Sequence, residues 1–185
     1  MSLELSGVLL VGGASTRFGS PKALARFGPE TLAERGWRVL GEACSERLAV
    51  GKGELALPFP VVDDGAELHA PIVGVIAGLR AAARETVVFL PVDCPLVTAE
   101  LLRALGEARA VPQTGPLPGA YSKADLPELE RRLAAGELSL RGVNSNVLEV
   151  DESLLANANT PAELSALEQD LTALDEDRTG LAVDS

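Results

Sequence analysis

Two kinds of apolar segment alternate along the chain. Glu4 to Val11 closes on Gly-Val-Leu-Leu-Val, an unbroken apolar run of the sort carried by a strand buried on both faces. Shorter runs predict strands at Arg47 to Val50, Pro60 to Val62 and Thr86 to Val92. Between them, apolar residues recur at helical spacing over Leu32 to Ala43, Ile72 to Ala83 and Thr98 to Ala108. Alternation of this kind predicts an α/β fold: a three-layer sandwich with a mostly parallel central sheet and helices on both sides. Gly74 and Gly78 stand one helical turn apart, and glycine inside a helix costs stability, so close approach to the sheet or to a loop is the expected reason for them.

The second half is less regular. Pro112 to Pro118 reads as a loop leading to Ala120-Tyr121-Ser122, and apolar residues at 126, 129 and 133 predict a helix from Leu126 to Leu133 closed by Gly136. Val147 to Val150 predicts a short strand. Thr160-Pro161-Ala162-Glu163 offers a capping hydroxyl, a proline at the first helical position and a carboxylate at the third, which predicts a helix start. The tail from Asp175 is acidic and rich in small residues, and fraying is expected there. No internal repeat is visible. A domain over 1–170 is expected, with 171–185 an acidic, flexible tail.

At 185 residues the chain suits one domain with a complete core. Apolar residues make up 46% of it, yet no apolar run approaches the length of a membrane span and no basic-then-apolar leader opens the chain. A soluble, cytoplasmic protein is expected. Cys44 and Cys94 form no CxxC pattern and suggest packed thiols rather than a zinc site or a disulfide framework. The net charge of -11 argues against a nucleic-acid-binding surface, so an anionic ligand must be met locally.

Such a local feature follows the first strand directly. In Gly12-Gly13-Ala14-Ser15-Thr16-Arg17-Phe18-Gly19-Ser20-Pro21-Lys22, small residues allow backbone N–H groups to approach phosphate oxygens, and Arg17 and Lys22 supply positive charge. Open parallel sheets bind ligands beyond the carboxyl ends of their strands, which is where this loop lies. Its spacing matches neither GxxxxGK[ST] nor GxGxxG. The alternative is a flexible surface turn.

Leu90-Pro91-Val92-Asp93-Cys94-Pro95 places one carboxylate just beyond another buried strand, between two prolines that keep the backbone extended. Such a carboxylate suits Mg²⁺, which takes few protein oxygens and completes its shell with water and substrate phosphates. The competing role is a helix cap, for which Thr98 is better placed. Asp63-Asp64-Gly65 ends a third apolar run; here a solvated Asp-Gly turn is the alternative to a site. His69 lacks a companion ligand and suggests an exposed or capping residue. Trp37 and the phenylalanines suggest packing anchors, since aromatics are 3% of the chain.

Leu10 through Lys22 resembles the L-A-G-G-x-S-x-R-M-G-x-D-K signature of the molybdenum cofactor guanylyltransferases, and more broadly the nucleotidyltransferases with a Rossmann-like fold. The resemblance implies that Leu10, Val11, Gly12, Gly13, Arg17 and Lys22 meet the triphosphate of GTP. Val11, Phe18 and Pro21 depart from the signature, and Pro-Lys at 21 and 22 also occurs in cytidylyltransferases and sugar-nucleotide enzymes. Asp93 matches the aspartate of the family's P-C-D-x-P, which holds the metal and the nucleotide phosphates. Ala70-Pro71-Ile72-Val73-Gly74-Val75 resembles G-P-L-A-G-I, and of the aspartates before it Asp64 fits the nucleotide contact best, with Asp63 still open. Gly51-Lys52-Gly53 stands where the family has an Asn-rich turn, and no role carries over to it.

Gly136-Glu137-Leu138-Ser139-Leu140-Arg141 is similar to the family's G-x-x-S-L; Arg131 and Arg132 before it read as an amphipathic surface helix, with an acceptor-facing role the alternative. Asn157-Ala158-Asn159-Thr160-Pro161 resembles N-x-N-T-P, in which an asparagine reaches back to the active site; Asn157 is the candidate, and Asn159 reads as a turn residue. The resemblance covers residues 7 to 165. It implies GTP and molybdopterin-type cofactor as substrates, pyrophosphate as product, Mg²⁺ as cofactor, and transient contact with proteins of molybdenum cofactor biosynthesis or acceptor proteins. An acceptor phosphate is ionised near neutrality, so attack on the α-phosphorus needs no protein nucleophile. The rivals are a cytidylyltransferase or sugar-1-phosphate nucleotidyltransferase, and a non-catalytic nucleotide-binding regulator.

Overall fold

The first apolar run forms strand β1 (Ser6–Leu10), buried almost throughout. The structure, a computed structural model, describes residues 4–12, 21–52 and 55–180, with 173–180 by backbone alone. A short hairpin, β2 (Arg26–Phe27) and β3 (Glu30–Thr31), leads into α1 (Leu32–Ala43). There follow β4 (Glu46–Gly51), β5 (Val62–Asp63), α2 (Pro71–Ala81), β6 (Thr86–Pro91) and α3 (Ala99–Ala108). Strands β7 (Val111–Pro112) and β8 (Gly119–Ser122), helix α4 (Leu126–Ala134), strand β9 (Val147–Leu148) and helix α5 (Pro161–Gly180) complete the described chain.

The central sheet has the order β5-β4-β1-β6-β8, with all neighbours parallel except β6 and β8. From β1 the chain moves one way through α1 to β4; from β5 it crosses back through α2 to β6 on the other side of β1. Strand order therefore reverses between β1 and β6, and a crevice opens beyond their carboxyl ends.

Alternate side chains of each central strand enter opposite cores. Leu9 of β1 and Val88 and Leu90 of β6 pack with α1 and α3, whose Leu40, Leu102 and Leu105 are fully buried. Leu164 of α5 joins that core. Val8, Val87 and Phe89 face the other way, against Ile72, Ile76 and Leu79 of α2 and Leu129 of α4. This is a Rossmann-like α/β sandwich. Gly78 shows why glycine is tolerated in α2: a Cβ there would stand 2.6 Å from Phe89 and 3.1 Å from Val8, and one at Gly74 would stand 2.9 Å from Leu10. Bare backbone lets this helix lie directly on the sheet.

Local chemistry sets the helix ends. Thr31 and Glu34 form a capping box on α1, and the Leu101 N–H donates to Thr98 Oγ1 at 3.2 Å at the start of α3. At α5 the Glu163 N–H donates to Thr160 Oγ1 at 3.2 Å, while Glu163 accepts from the N–H groups of Asn159 and Thr160 at 2.6 and 3.1 Å. Gly136, at φ 74, follows α4, a left-handed position that suits glycine.

Three features differ from the sequence expectation. The hairpin at 26–31 was not anticipated, because strands of two residues carry no readable period; Gly28, at φ 60 in its two-residue loop, is the local signal for it. The strand expected at Pro60 to Val62 forms instead at Val62–Asp63, since Pro60 brings no N–H to a ladder. The loop expected from Pro112 begins within β7, which pairs with β9 in a separate two-stranded sheet, so β9 is outside the main sheet and shorter than expected. Trp37 stacks on Phe59 with centroids 4.1 Å apart, the packing role expected of it. No described helix is long and apolar enough to cross a membrane.

Candidate active site

The carboxyl end of β1 is held between its neighbours. The Val11 N–H donates to Val50 O at 2.9 Å on the β4 side, and the Val92 N–H donates to Leu10 O at 3.1 Å on the β6 side. Gly12 and Gly51 then meet backbone to backbone: a Cβ on Gly51 would lie 3.0 Å from the Gly12 nitrogen and 2.8 Å from Val11. Only residues without side chains allow these two strand ends to come so close.

Beyond them lies a cleft of about 410 Å³. Its wall brings together Leu10 from the end of β1, Val11, Gly12 and Lys22 from the segment after it, Asp64 from beyond β5, Asp93 from beyond β6, and Asn157 from the segment before α5. Gly13 and Arg17, the remaining candidates from the sequence, lie outside the described residues. The first turn of α2, with Ala70, Pro71 and Gly74, forms another part of the wall. The positive end of that helix dipole favours an anion in the cleft.

Three distant segments converge on one ammonium group. Lys22 Nζ lies 3.2 Å from Asp93 Oδ2 and donates to Asn159 Oδ1, also at 3.2 Å. The Ala158 N–H donates to the carbonyl of Asp93 at 2.9 Å, and this backbone bond lays residues 157–159 across the Asp93 turn. Asn159, read from sequence as a turn residue, thus has its side chain at Lys22. Its signal was the N-x-N-T-P pattern itself, in which the tertiary fold alone decides which asparagine turns inward.

Asp93 has two differently occupied oxygens. Oδ2 pairs with Lys22, whereas Oδ1 has the Cys94 thiol at 3.8 Å, a weak donor at most. Burial, with the Asp93 carboxylate adding to it, pushes the Cys94 thiol well above its ordinary range, so it is a packed neutral group rather than a nucleophile. No group of three or more His, Cys, Asp or Glu side chains able to hold a metal occurs among the described residues. One carboxylate on a cleft wall that Asn157 also lines suits a hard cation that keeps water and phosphate oxygens in its shell; it does not suit zinc.

Asp63 and Asp64 have separate positions. Asp63 is exposed, and its Oδ1 accepts from the Gly65 N–H at 2.7 Å, the Asp-Gly turn that is the alternative to a site. Asp64 is turned to the cleft and pairs with Lys52 at 2.8 Å. His69 is exposed at the cleft wall, and α2 has no side-chain cap from it. Arg131 bridges Glu128 and Glu137, while Arg132 donates to the carbonyls of Ser139 and Arg141, so both are engaged on the surface of α4 and its following loop.

Comparison with known proteins covers nearly the whole chain. Residues 7–170 match the family described as MobA-like NTP transferase domain. A probable molybdenum cofactor guanylyltransferase of Deinococcus radiodurans is 36% identical over 183 residues, covering 89% of this chain and 94% of the relative. The molybdenum cofactor guanylyltransferase of Burkholderia ambifaria is 30% identical over 197 residues, covering 90% and 96%. Among solved structures, molybdopterin-guanine dinucleotide biosynthesis protein A from Archaeoglobus fulgidus superposes with a TM-score of 0.74 at 23% identity, over 91% of this chain and 99% of the other.

Proposed function

Because the chain belongs to the family of MobA-like NTP transferase domains, we infer that it is a molybdenum cofactor guanylyltransferase, moving GMP from GTP to molybdopterin-type cofactor with release of pyrophosphate. The observation that carries this reading is the meeting of Lys22, Asp93 and Asn159 beyond β1 and β6, at the point where strand order reverses. Relatives bearing that activity in their names, aligned over most of both chains, supply the substrate assignment.

The triphosphate lies along the Gly12 end of the cleft, where Lys22 and the first turn of α2 favour negative charge. Gly13 and Arg17 belong to the same loop and are assigned to the phosphates with Leu10, Val11 and Gly12. Asp93, with Asn157 as a supplementary oxygen, would hold Mg²⁺, which compensates charge on the phosphates when bound. Lys22 stays within ion-pair reach of Asp93, so the carboxylate keeps its orientation and the ammonium adds positive charge beside the leaving pyrophosphate. Asp64 is assigned to the nucleoside. The acceptor's phosphate oxygen is the nucleophile, and catalysis consists of alignment and charge compensation by these groups. Both substrates are small molecules of the cytoplasm, where the protein would meet biosynthetic and acceptor proteins transiently.

Pyrophosphate release is measured with Mg²⁺, molybdopterin-type cofactor and each nucleoside triphosphate in turn. GTP-selective release is the expected result. Selectivity for CTP would replace the assignment by a cytidylyltransferase, and tight nucleotide binding without release would identify a regulator.

A further inference from the structure

A second lysine stands in the same cleft. Lys52 follows the last residue of β4; its Nζ donates to Asp64 Oδ1 at 2.8 Å and to the carbonyl of Ala66. The Ala66 N–H donates to the same Oδ1 at 3.2 Å, and the Asp64 N–H donates to Gly51 O at 3.1 Å. Asp64 is therefore held at its backbone and at one carboxylate oxygen. The other oxygen, Oδ2, accepts from no described residue. The two side chains are only 19% and 8% exposed, and both line the cleft. Oδ2 is not among the buried side-chain atoms left without a partner, so on this largely enclosed side chain it is open to the cleft, where a hydrogen-bond donor from a bound ligand can reach it.

The chemistry of that bond follows from charge. A carboxylate repels phosphate oxygens, so the part of a nucleotide that Asp64 meets is the nucleoside, whose base N–H and ribose O–H groups donate. Without Lys52, Asp64 would also present a full negative charge to an anionic substrate; the ion pair cancels it locally. Resting on the nucleotidyltransferase reading above, we propose that Lys52 is a positioning residue for nucleoside recognition, holding Asp64 so that Oδ2 accepts a hydrogen bond from the base or ribose of the incoming nucleotide. Lys52 uses donors on Asp64 and Ala66 and acts through Asp64 rather than on the phosphates.

The test uses the full chain as wild type, K52M, D64N and the double variant. Each is titrated with GTP, with ATP, which lacks the N1–H and 2-amino donors of guanine, and with 2′,3′-dideoxy-GTP, which lacks the ribose hydroxyls; kcat and KM are measured on the same preparations. K52M is expected to weaken GTP about tenfold, the loss falling on KM rather than kcat. The double variant is expected to be no worse than D64N, as when one residue acts through the other. The K52M penalty should vanish for ATP if Oδ2 meets the base, and for the dideoxy nucleotide if it meets the sugar. Ratios between nucleotides on one preparation are insensitive to any unfolded fraction. Additive K52M and D64N losses, or an equal K52M penalty for all three nucleotides, would overturn the proposal. Wild type that binds GTP but releases no pyrophosphate overturns the transferase reading alone; wild type that binds no nucleotide overturns both.

Discussion

Lys22 and Asp93 are 71 positions apart in the chain, and their charged groups lie 3.2 Å from each other. Each follows an apolar strand, and the two strands are neighbours in the sheet. The pair therefore sits where β1 and β6 end together, and Asn159 completes it from the start of α5.

Replacing Asp93 with Asn keeps the shape but removes the charge. Pyrophosphate release in saturating Mg²⁺ should fall by roughly 10²–10³-fold, the scale of losing a group that compensates transition-state charge. Circular dichroism and thermal unfolding should stay near wild type. Near-normal turnover in that variant would remove Asp93 from the metal assignment.

Asn159→Ala deletes the acceptor at Lys22 Nζ without touching the ion pair. A fall of about tenfold in kcat/KM is expected, the worth of one hydrogen bond to a charged group. Asn157→Ala, measured beside it, separates the two asparagines of the segment. If Asn159→Ala has no effect while Asn157→Ala does, the inward role belongs to Asn157 alone.

Thr160→Ala removes the hydroxyl that caps α5. The expected cost is about 1 kcal/mol of stability. Because residues 157–159 lead directly into that cap, KM should rise as well, and both are read from one thermal and one kinetic series. A stability loss with unaltered KM would show that the cap and the site are uncoupled.

A methyl group at position 78 has nowhere to go, since Phe89 and Val8 are both fully buried. Gly78→Ala should destabilise by about 2–3 kcal/mol through overpacking against two fully buried neighbours, leaving about 1–2 kcal/mol net after about 1 kcal/mol is returned by helix propensity. A lowering of Tm by about 2–4 °C for each net kcal/mol is expected for a chain of this size. A variant as stable as wild type would mean that α2 is able to move off the sheet.

Burial pushes the Cys44 thiol from 9.0 up to about 12, and the Cys94 thiol upward as well. Between pH 9 and 12 the unfolded chain releases thiol protons that the folded chain keeps, so this contribution is present below about pH 9 and is lost as pH rises. Stability should decline in that alkaline window, less so in a Cys44→Ala/Cys94→Ala variant compared with its own value at pH 8. Native protein at pH 8 should also react slowly with thiol reagents and quickly in denaturant; rapid labelling of Cys94 in the native state would contradict its burial.

Local order was written in the sequence. The unbroken run of β1, the helical spacing of α1 to α3 and the Thr160–Glu163 cap each depend on neighbours within a few positions, and the structure has all of them. The glycine-rich loop and the carboxylate at a strand end are local patterns as well, and carry the expectation of phosphate chemistry. Strands of two residues, such as β2, β3 and β7, were invisible, because their existence rests on a partner strand and not on a period. The assembly of the site was equally beyond local reading. Which asparagine turns to Lys22, which of two adjacent aspartates enters the cleft, and that Lys52 holds it depend on the order of strands in the sheet. Hydrogen bonds and ion pairs act over about three ångströms, and only the packed fold brings residues 71 or 137 positions apart within that distance.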